Sequence, residues 1–233
     1  MSHPYRSALI VGSSGGIGQA LSQTLQANLP ACEITGLGRR TDPAIDLTDE
    51  ASIAGAAASL AGKAPFDLII VATGLLHDGP ANISPEKTWR QLDAAALTRY
   101  FAVNAIGPAL VAKHFLPHLD KDRRAVFAAL SARVGSISDN RLGGWYGYRA
   151  SKAALNQVIK CLAIELKRTH KQAICAGLHP GTVATALSEP FRGSAKNIIS
   201  PEQSAANLLA VIDGLGIEQS GSFFAWDGVE IVP

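Results

Sequence analysis

The chain has little charge. Asp, Glu, Lys and Arg make up 17% of its 233 residues, the net charge is +2, and no long Lys/Arg run occurs. Nothing therefore marks a nucleic-acid surface, and Lys121-Asp122-Arg123-Arg124 reads as a solvated turn before a strand. Cysteine is also scarce. Cys32, Cys161 and Cys175 are odd in number, far apart and set among apolar neighbours. That spacing fits neither a disulfide framework nor a metal or redox site, and predicts reduced core thiols in a cytoplasmic protein. The histidines are scattered too, so no metal site is expected. His77 and His179, at strand-end loops near the presumed pocket, could line the substrate site, but the preferred reading for each is a solvated loop histidine. No apolar run reaches the roughly 18 residues of a membrane span. The opening Met1-Ser2-His3-Pro4-Tyr5-Arg6 has no signal-peptide pattern. Linkers, internal repeats and composition shifts are absent, which points to one domain over residues 1–233.

What is present is an alternation of short apolar runs with longer helical patterns. Strands are expected at 8–11, 32–37, 44–46, 67–72, 125–130, 172–178 and 222–225. Helices are expected at 16–27, 50–60, 97–119 with a kink at Pro108, 145–170 and 201–213. Asp49 or Thr48 caps the second helix. Continuous apolar strands between helices predict an α/β fold, a mostly or fully parallel seven-stranded sheet covered on both faces. The loop 187–200, rich in Ser, Gly, Pro and Lys, follows a strand end, where a substrate lid would sit.

Gly12-Ser13-Ser14-Gly15-Gly16-Ile17-Gly18 closes the first strand and opens the first helix. Glycines let the backbone approach a pyrophosphate, and the helix N-terminus offers free N–H groups. NAD sites usually carry an acid after the second strand. Here Gly38-Arg39-Arg40 stands instead, and a guanidinium grips a 2′-phosphate. NADP(H) is therefore favoured, with NAD(H) the alternative, Arg39 the first candidate and Arg40 the second. Asp46-Leu47 could touch the adenine edge or start a helix.

Tyr148 and Lys152 lie four residues apart in the fourth helical segment, so both leave one helix face. Tyr146 has Ala150 at that spacing and is a decoy. A phenol beside an ammonium is a tunable proton donor. Lowering its pKa from about 10 to about 7 takes roughly 4 kcal/mol, which one cation about 4 Å away supplies at an effective dielectric near 20.

These residues together resemble the short-chain dehydrogenase/reductase family, in its single-domain branch, over essentially the whole chain. Gly12, Gly16, Ile17 and Gly18 match the glycine motif, with Val11 replacing its usual Thr. The family's Asn-Asn-Ala-Gly segment appears as Val71-Ala72-Thr73-Gly74, keeping only the glycine. Asn104, Tyr148 and Lys152 match the active-site asparagine, tyrosine and lysine, and Pro180-Gly181-Thr182-Val183 the nicotinamide carboxamide segment. The runs 131–137 and 143–148 and Trp226-Asp227-Gly228 resemble the C-factor subgroup, named for a signalling protein. The family serine falls on Ser131 counting from the strand start, or on Ala132 counting back from Gly135; Ser131 is chosen because alanine cannot do the chemistry.

The resemblance implies a three-layer doubly wound Rossmann fold. It implies catalytic roles for Ser131, Tyr148, Lys152 and Asn104, the last carrying a water to Lys152. It implies cofactor contacts at Gly12, Ser14, Gly16, Ile17, Gly18, Arg39, Arg40, Asp46, Leu47, Ala72, Gly74, Asn104, Tyr148, Lys152, Pro180, Gly181, Val183 and Thr185. The expected activity is NADP(H)-dependent reduction of an aldehyde, ketone or quinone, or oxidation of the corresponding alcohol. The alternative is a dinucleotide-binding signalling protein with incidental turnover. A small-molecule substrate and a homodimer or homotetramer formed through the two long helices are the expected partners.

Overall fold

The apolar runs become strands because their side chains are buried on both sides. In the computed structural model, which describes residues 5–194 and 197–233, the order is β1 (Ser7–Val11), α1 (Gly16–Asn28), β2 (Glu33–Leu37), α2 (Glu50–Ser59), β3 (Leu68–Val71), α3 (Ala94–Phe101), α4 (Gly107–Phe115), β4 (Ala125–Leu130), α5 (Tyr146–Thr169), β5 (Ala173–His179), β6 (Thr182–Val183), β7 (Ile198–Ile199), α6 (Pro201–Gly214) and β8 (Phe223–Ala225). The central sheet runs β2-β1-β3-β4-β5-β8, every neighbouring pair parallel. Strand side chains alternate between its faces. Leu9 and Val11 join a core with Ile53, Val111, Phe115, Leu155 and Ile159 from α2, α4 and α5. Ala8 and Ile10 join the opposite core with Leu21, Leu25, Leu208 and Ile212 from α1 and α6. The fold is the expected doubly wound one. Its strand order reverses between β1 and β3, which opens a crevice at their carboxyl ends.

Several expectations need correction. The sheet has six strands, not seven. Residues 44–46 form no strand and pair with none. Pro43 lacks an N–H, its carbonyl accepts from the Thr41 hydroxyl (2.7 Å), and only Ile45 N–H reaches back to Gly38 O (3.0 Å). The loop 187–200, of which 195 and 196 lie outside the described residues, contains β7, paired in parallel with β6. The long helix is two helices. A π-helical turn, Ala102–Ile106, separates α3 from α4, and Pro108 sits in the first turn of α4, where it has no N–H to give the preceding turn. Ala94–His118 is long and apolar enough to cross a membrane by length and composition alone, with a mean hydropathy of 1.2. The π turn breaks it, and its apolar side chains Val111, Ala112 and Phe115 belong to the core beneath the sheet. Cys32 and Cys175 are buried, but Cys161 is exposed on α5. Arg124 is no solvated charge: its guanidinium donates to Ile212 O (2.7 Å), Leu215 O and the Tyr5 hydroxyl.

The last residues fold back over β8. Ala225 N–H donates to Val229 O (2.8 Å), Ile231 N–H to Phe223 O (2.7 Å) and Gly228 N–H to Ala225 O (2.9 Å).

Candidate active site

The glycine loop is locked at the crevice. Gly12 N–H and Ser13 N–H both donate to Leu37 O (2.7 and 3.1 Å), tying the end of β1 to the end of β2. Gly12 holds φ +92°, and a Cβ there would come within 2.9 Å of Ala72 O. A Cβ on Gly18 would run into the Gly12 carbonyl. Helix α1 starts with no side-chain cap at Gly15 and no acid in its first turn, so its positive end is left for an anion.

Two cavities open on this loop. One, of about 490 Å³, is lined by Gly12, Ser14, Arg39, Asp46, Leu47, Arg99 and Val103 among others. The other, of about 240 Å³, is lined by Gly16, Ile17, Ser131, Tyr148, Lys152, Pro180, Thr185 and Leu187 among others. They share Gly15, Ala72, Thr73 and Gly74. An elongated ligand with two ends would bridge them. Thr73 Oγ1 is enclosed without a hydrogen-bond partner, a polar group that such a ligand could satisfy. The residues present thus fit a dinucleotide.

Some expected residues stand apart. Arg40 is exposed and lines neither cavity. Gly18 backs the loop, Val183 pairs with Ile199, and Gly181 (φ +83°) lies under Trp226. Asp46 both borders a cavity and shapes the turn before α2. It lines the larger cavity, and its Oδ1 accepts from Thr48 N–H and Oγ1–H (2.8 Å each) in the turn before α2. Those two bonds, then Arg39 and Arg99, hold its carboxyl below the usual range.

Glu86 sets the start of α5. Its carbonyl accepts from Trp145 N–H (2.5 Å) and its buried carboxylate from Gly147 N–H (3.2 Å). Gly143, Gly144 and Trp145 turn through positive φ just before. The helix then aims Tyr148 and Lys152 inward, while Tyr146 points out. The Tyr148 ring lies edge-on to Tyr100 and Trp145 (centroids 6.4 and 6.2 Å), and Phe191 covers Trp145 (5.5 Å).

Burial, followed by the neighbouring Tyr100, pushes the Tyr148 phenol up. Lys152 Nζ donates to Leu130 O (2.8 Å) and sits 5.9 Å from the Tyr148 ring centroid. Burial lowers its own pKa to about 7, so it carries only part of a charge near neutrality. Desolvation disfavours the charged form of both groups.

Ser131 lines the smaller cavity, whereas Ala132 joins the cluster of Tyr100 and Tyr148. Ser136 and Ser138 instead donate to the carbonyls of Val232 and Pro233. Ser131 Oγ donates to Asn156 Oδ1 (2.7 Å). Asn104 lines neither cavity: its amide is committed to Leu75 and Ser151, and Pro108 has no N–H to give its carbonyl. His179 is half-buried. Its Nδ1 is enclosed without a partner, and burial, then Arg133, lowers its pKa to about 4. His77 Nε2 lies 3.3 Å from Ala186 O, and the ring packs near Phe191 (5.6 Å).

Sequence reading missed Thr73, Arg99, Val103, Glu86 and Asn156. Arg99 and Val103 are one helical turn apart, and Asn156 is one turn beyond Lys152, so helical spacing was the available signal. Glu86 lies in an irregular segment with no such signal.

A parallel sheet with a glycine loop at its switch point and a Tyr/Lys helix beside it defines a dinucleotide-dependent oxidoreductase. The short chain dehydrogenase family profile matches residues 6–195. The chain belongs to that family of NAD(P)-dependent dehydrogenases and reductases. It is 31% identical over 230 residues to 1-hydroxy-2-glutathionyl-2-methyl-3-butene dehydrogenase of Rhodococcus sp., spanning 94% of this chain and 96% of the relative. It is 36% identical over 140 residues to the C-signal protein of Myxococcus xanthus, spanning 60% and 80% of the two chains. NADPH-bound carbonyl reductase from chicken fatty liver shares the fold, with a TM-score of 0.84 at 24% identity over 99% of this chain and 100% of that one.

Proposed function

We propose that this protein is an NADP(H)-dependent carbonyl reductase acting on an uncharged aldehyde, ketone or quinone, with Tyr148 as the acid. The carrying observation is the convergence of Tyr148, Lys152 and Ser131 on one cavity of about 240 Å³ beside Gly16 and Pro180. When bound, the nicotinamide supplies the hydride. Tyr148 O–H gives the proton to the carbonyl oxygen, and Ser131 Oγ holds that oxygen in place. Burial favours the neutral phenol, the form that a proton donor needs. Lys152 steadies the phenolate left after transfer and holds the nicotinamide ribose. Arg39 holds a 2′-phosphate, with Arg99 on the same cavity. Asn104 acts by bracing the wall after β3. Leu187 and Phe191, in the segment from 187 to 200, cover the substrate, and with Trp145 they favour an apolar group next to the carbonyl.

A cytoplasmic homodimer or homotetramer completes this reading, with Ile106 and Ile164 exposed on the long helices. The C-signal likeness supports a second reading, a signalling protein that binds the dinucleotide without needing turnover.

A panel of uncharged carbonyls, followed by loss of NADPH absorbance, separates the two. The expected outcome is turnover on one or more of them. Tyr148→Phe should lower kcat by about 10² or more and leave the NADPH Kd within about twofold. Full activity in that variant removes Tyr148 from the mechanism. Tight NADPH binding with no turnover on any compound favours the signalling reading.

A further inference from the structure

We propose that Asn156 is a positioning residue whose side-chain amide sets the direction of the Ser131 hydroxyl proton. The inference rests on the role given to Ser131 above. Tyr148, Lys152 and Asn156 stand at successive four-residue steps of α5, so one helix face carries all three. Ser131 Oγ lies 2.7 Å from Asn156 Oδ1 and 3.5 Å from Lys152 O, and it donates toward both of these acceptors. A serine hydroxyl has one proton. While that proton points at Asn156, none remains for a substrate oxygen.

Turning the hydroxyl toward a substrate would leave two acceptor oxygens facing each other at this distance. Rotating the amide about its Cβ–Cγ bond removes the conflict. Nδ2 then stands where Oδ1 stood, its N–H donates to Ser131 Oγ, and the serine O–H is released to the substrate carbonyl. The structure carries a second sign of this alternative: Asn156 Nδ2 is enclosed with no hydrogen-bond partner. A buried donor without an acceptor is costly, and the rotated amide gives it one. Asn156 also belongs to the lining of a separate cavity of about 470 Å³, together with Ile159, Lys160, Phe223 and Ile231. Only a group that both donates and accepts can play both parts.

The test is a set of variants assayed on the best carbonyl of the panel, with NADPH Kd and thermal melting as controls for folding. Asn156→Asp places an acceptor opposite the serine. It should lower kcat by roughly 10²-fold, as should Ser131→Ala, without changing NADPH Kd. A protonated carboxyl can donate again, so activity of the Asp variant relative to wild type should recover as pH falls. Lys160 and Glu230 share the cavity with Asn156, Lys152 O lies 3.5 Å from Ser131 Oγ, and these groups are common to both proteins. Asn156→Leu should be impaired alone and cost nothing further in the Ser131→Ala background; this cycle decides the matter if the Asp variant does not fold. Additive losses, or an Asp variant as active as wild type at all pH while Ser131→Ala is impaired, would overturn the inference and leave the serine role standing. A fully active Ser131→Ala would end both.

Discussion

Asn104 grips Leu75 at both of its backbone polar groups. Its Oδ1 accepts from Leu75 N–H (2.7 Å), and its Nδ2 donates to Leu75 O (2.8 Å) and to Ser151 Oγ (3.1 Å). The residue is fully buried, and it clamps the segment whose Ala72, Thr73 and Gly74 form the wall common to both cavities.

Asn104→Ala should therefore act through that wall. It leaves a buried N–H and C=O of Leu75 unpaired, at a cost of about 2 kcal/mol. Urea unfolding should show the loss. NADPH titration should show weaker binding, with kcat at saturating cofactor falling less than the affinity does. Unchanged NADPH affinity would mean that the wall stands without the clamp.

The two arginines after β2 should not be equivalent. Arg39 lines the larger cavity and Arg40 does not. Loss of a charge-assisted bond costs about 1.5–3 kcal/mol, so Arg39→Ala should raise the NADPH Kd by roughly 10- to 100-fold and barely affect NADH. Arg40→Ala should stay within about twofold for both. Isothermal titration of all four pairs checks this, and equal effects of the two substitutions would contradict the assignment.

Lys152 should weaken the cofactor-free protein in a pH-dependent way. Its pKa falls from 10.5 to about 7 on burial. Between these values the unfolded chain binds the extra proton, so this lysine's contribution to stability rises with pH; below about 7 its full penalty applies. Lys152→Met should thus raise Tm by roughly 2–4 °C at pH 6, after the lost bond to Leu130 O is counted, and by less at pH 9. Turnover should disappear at both. A Tm gain independent of pH would rule out the buried charge as its source.

Local pattern made much of this molecule legible. Strands such as Ala125–Leu130, and the glycine loop and Tyr148/Lys152 helix, obey short-range rules of periodicity and turn chemistry. The errors have tertiary causes. Residues 44–46 look like a strand, but Thr41 occupies the Pro43 carbonyl. Ile198 and Ile199 pair only because Thr182 and Val183 lie alongside. The burial that acts on Tyr148 depends on the whole enclosure rather than on the spacing to Lys152. Asn104 was found by its motif, while its partner Leu75 lies in a segment with no regular period.

The returning tail has a consequence for how copies of this protein can meet. With Phe223 O and both polar groups of Ala225 already occupied, most of that margin's outward backbone groups are paired within the chain. Fibre-like growth by strand addition is disfavoured there, and a contact on that flank has to draw mainly on side-chain fit.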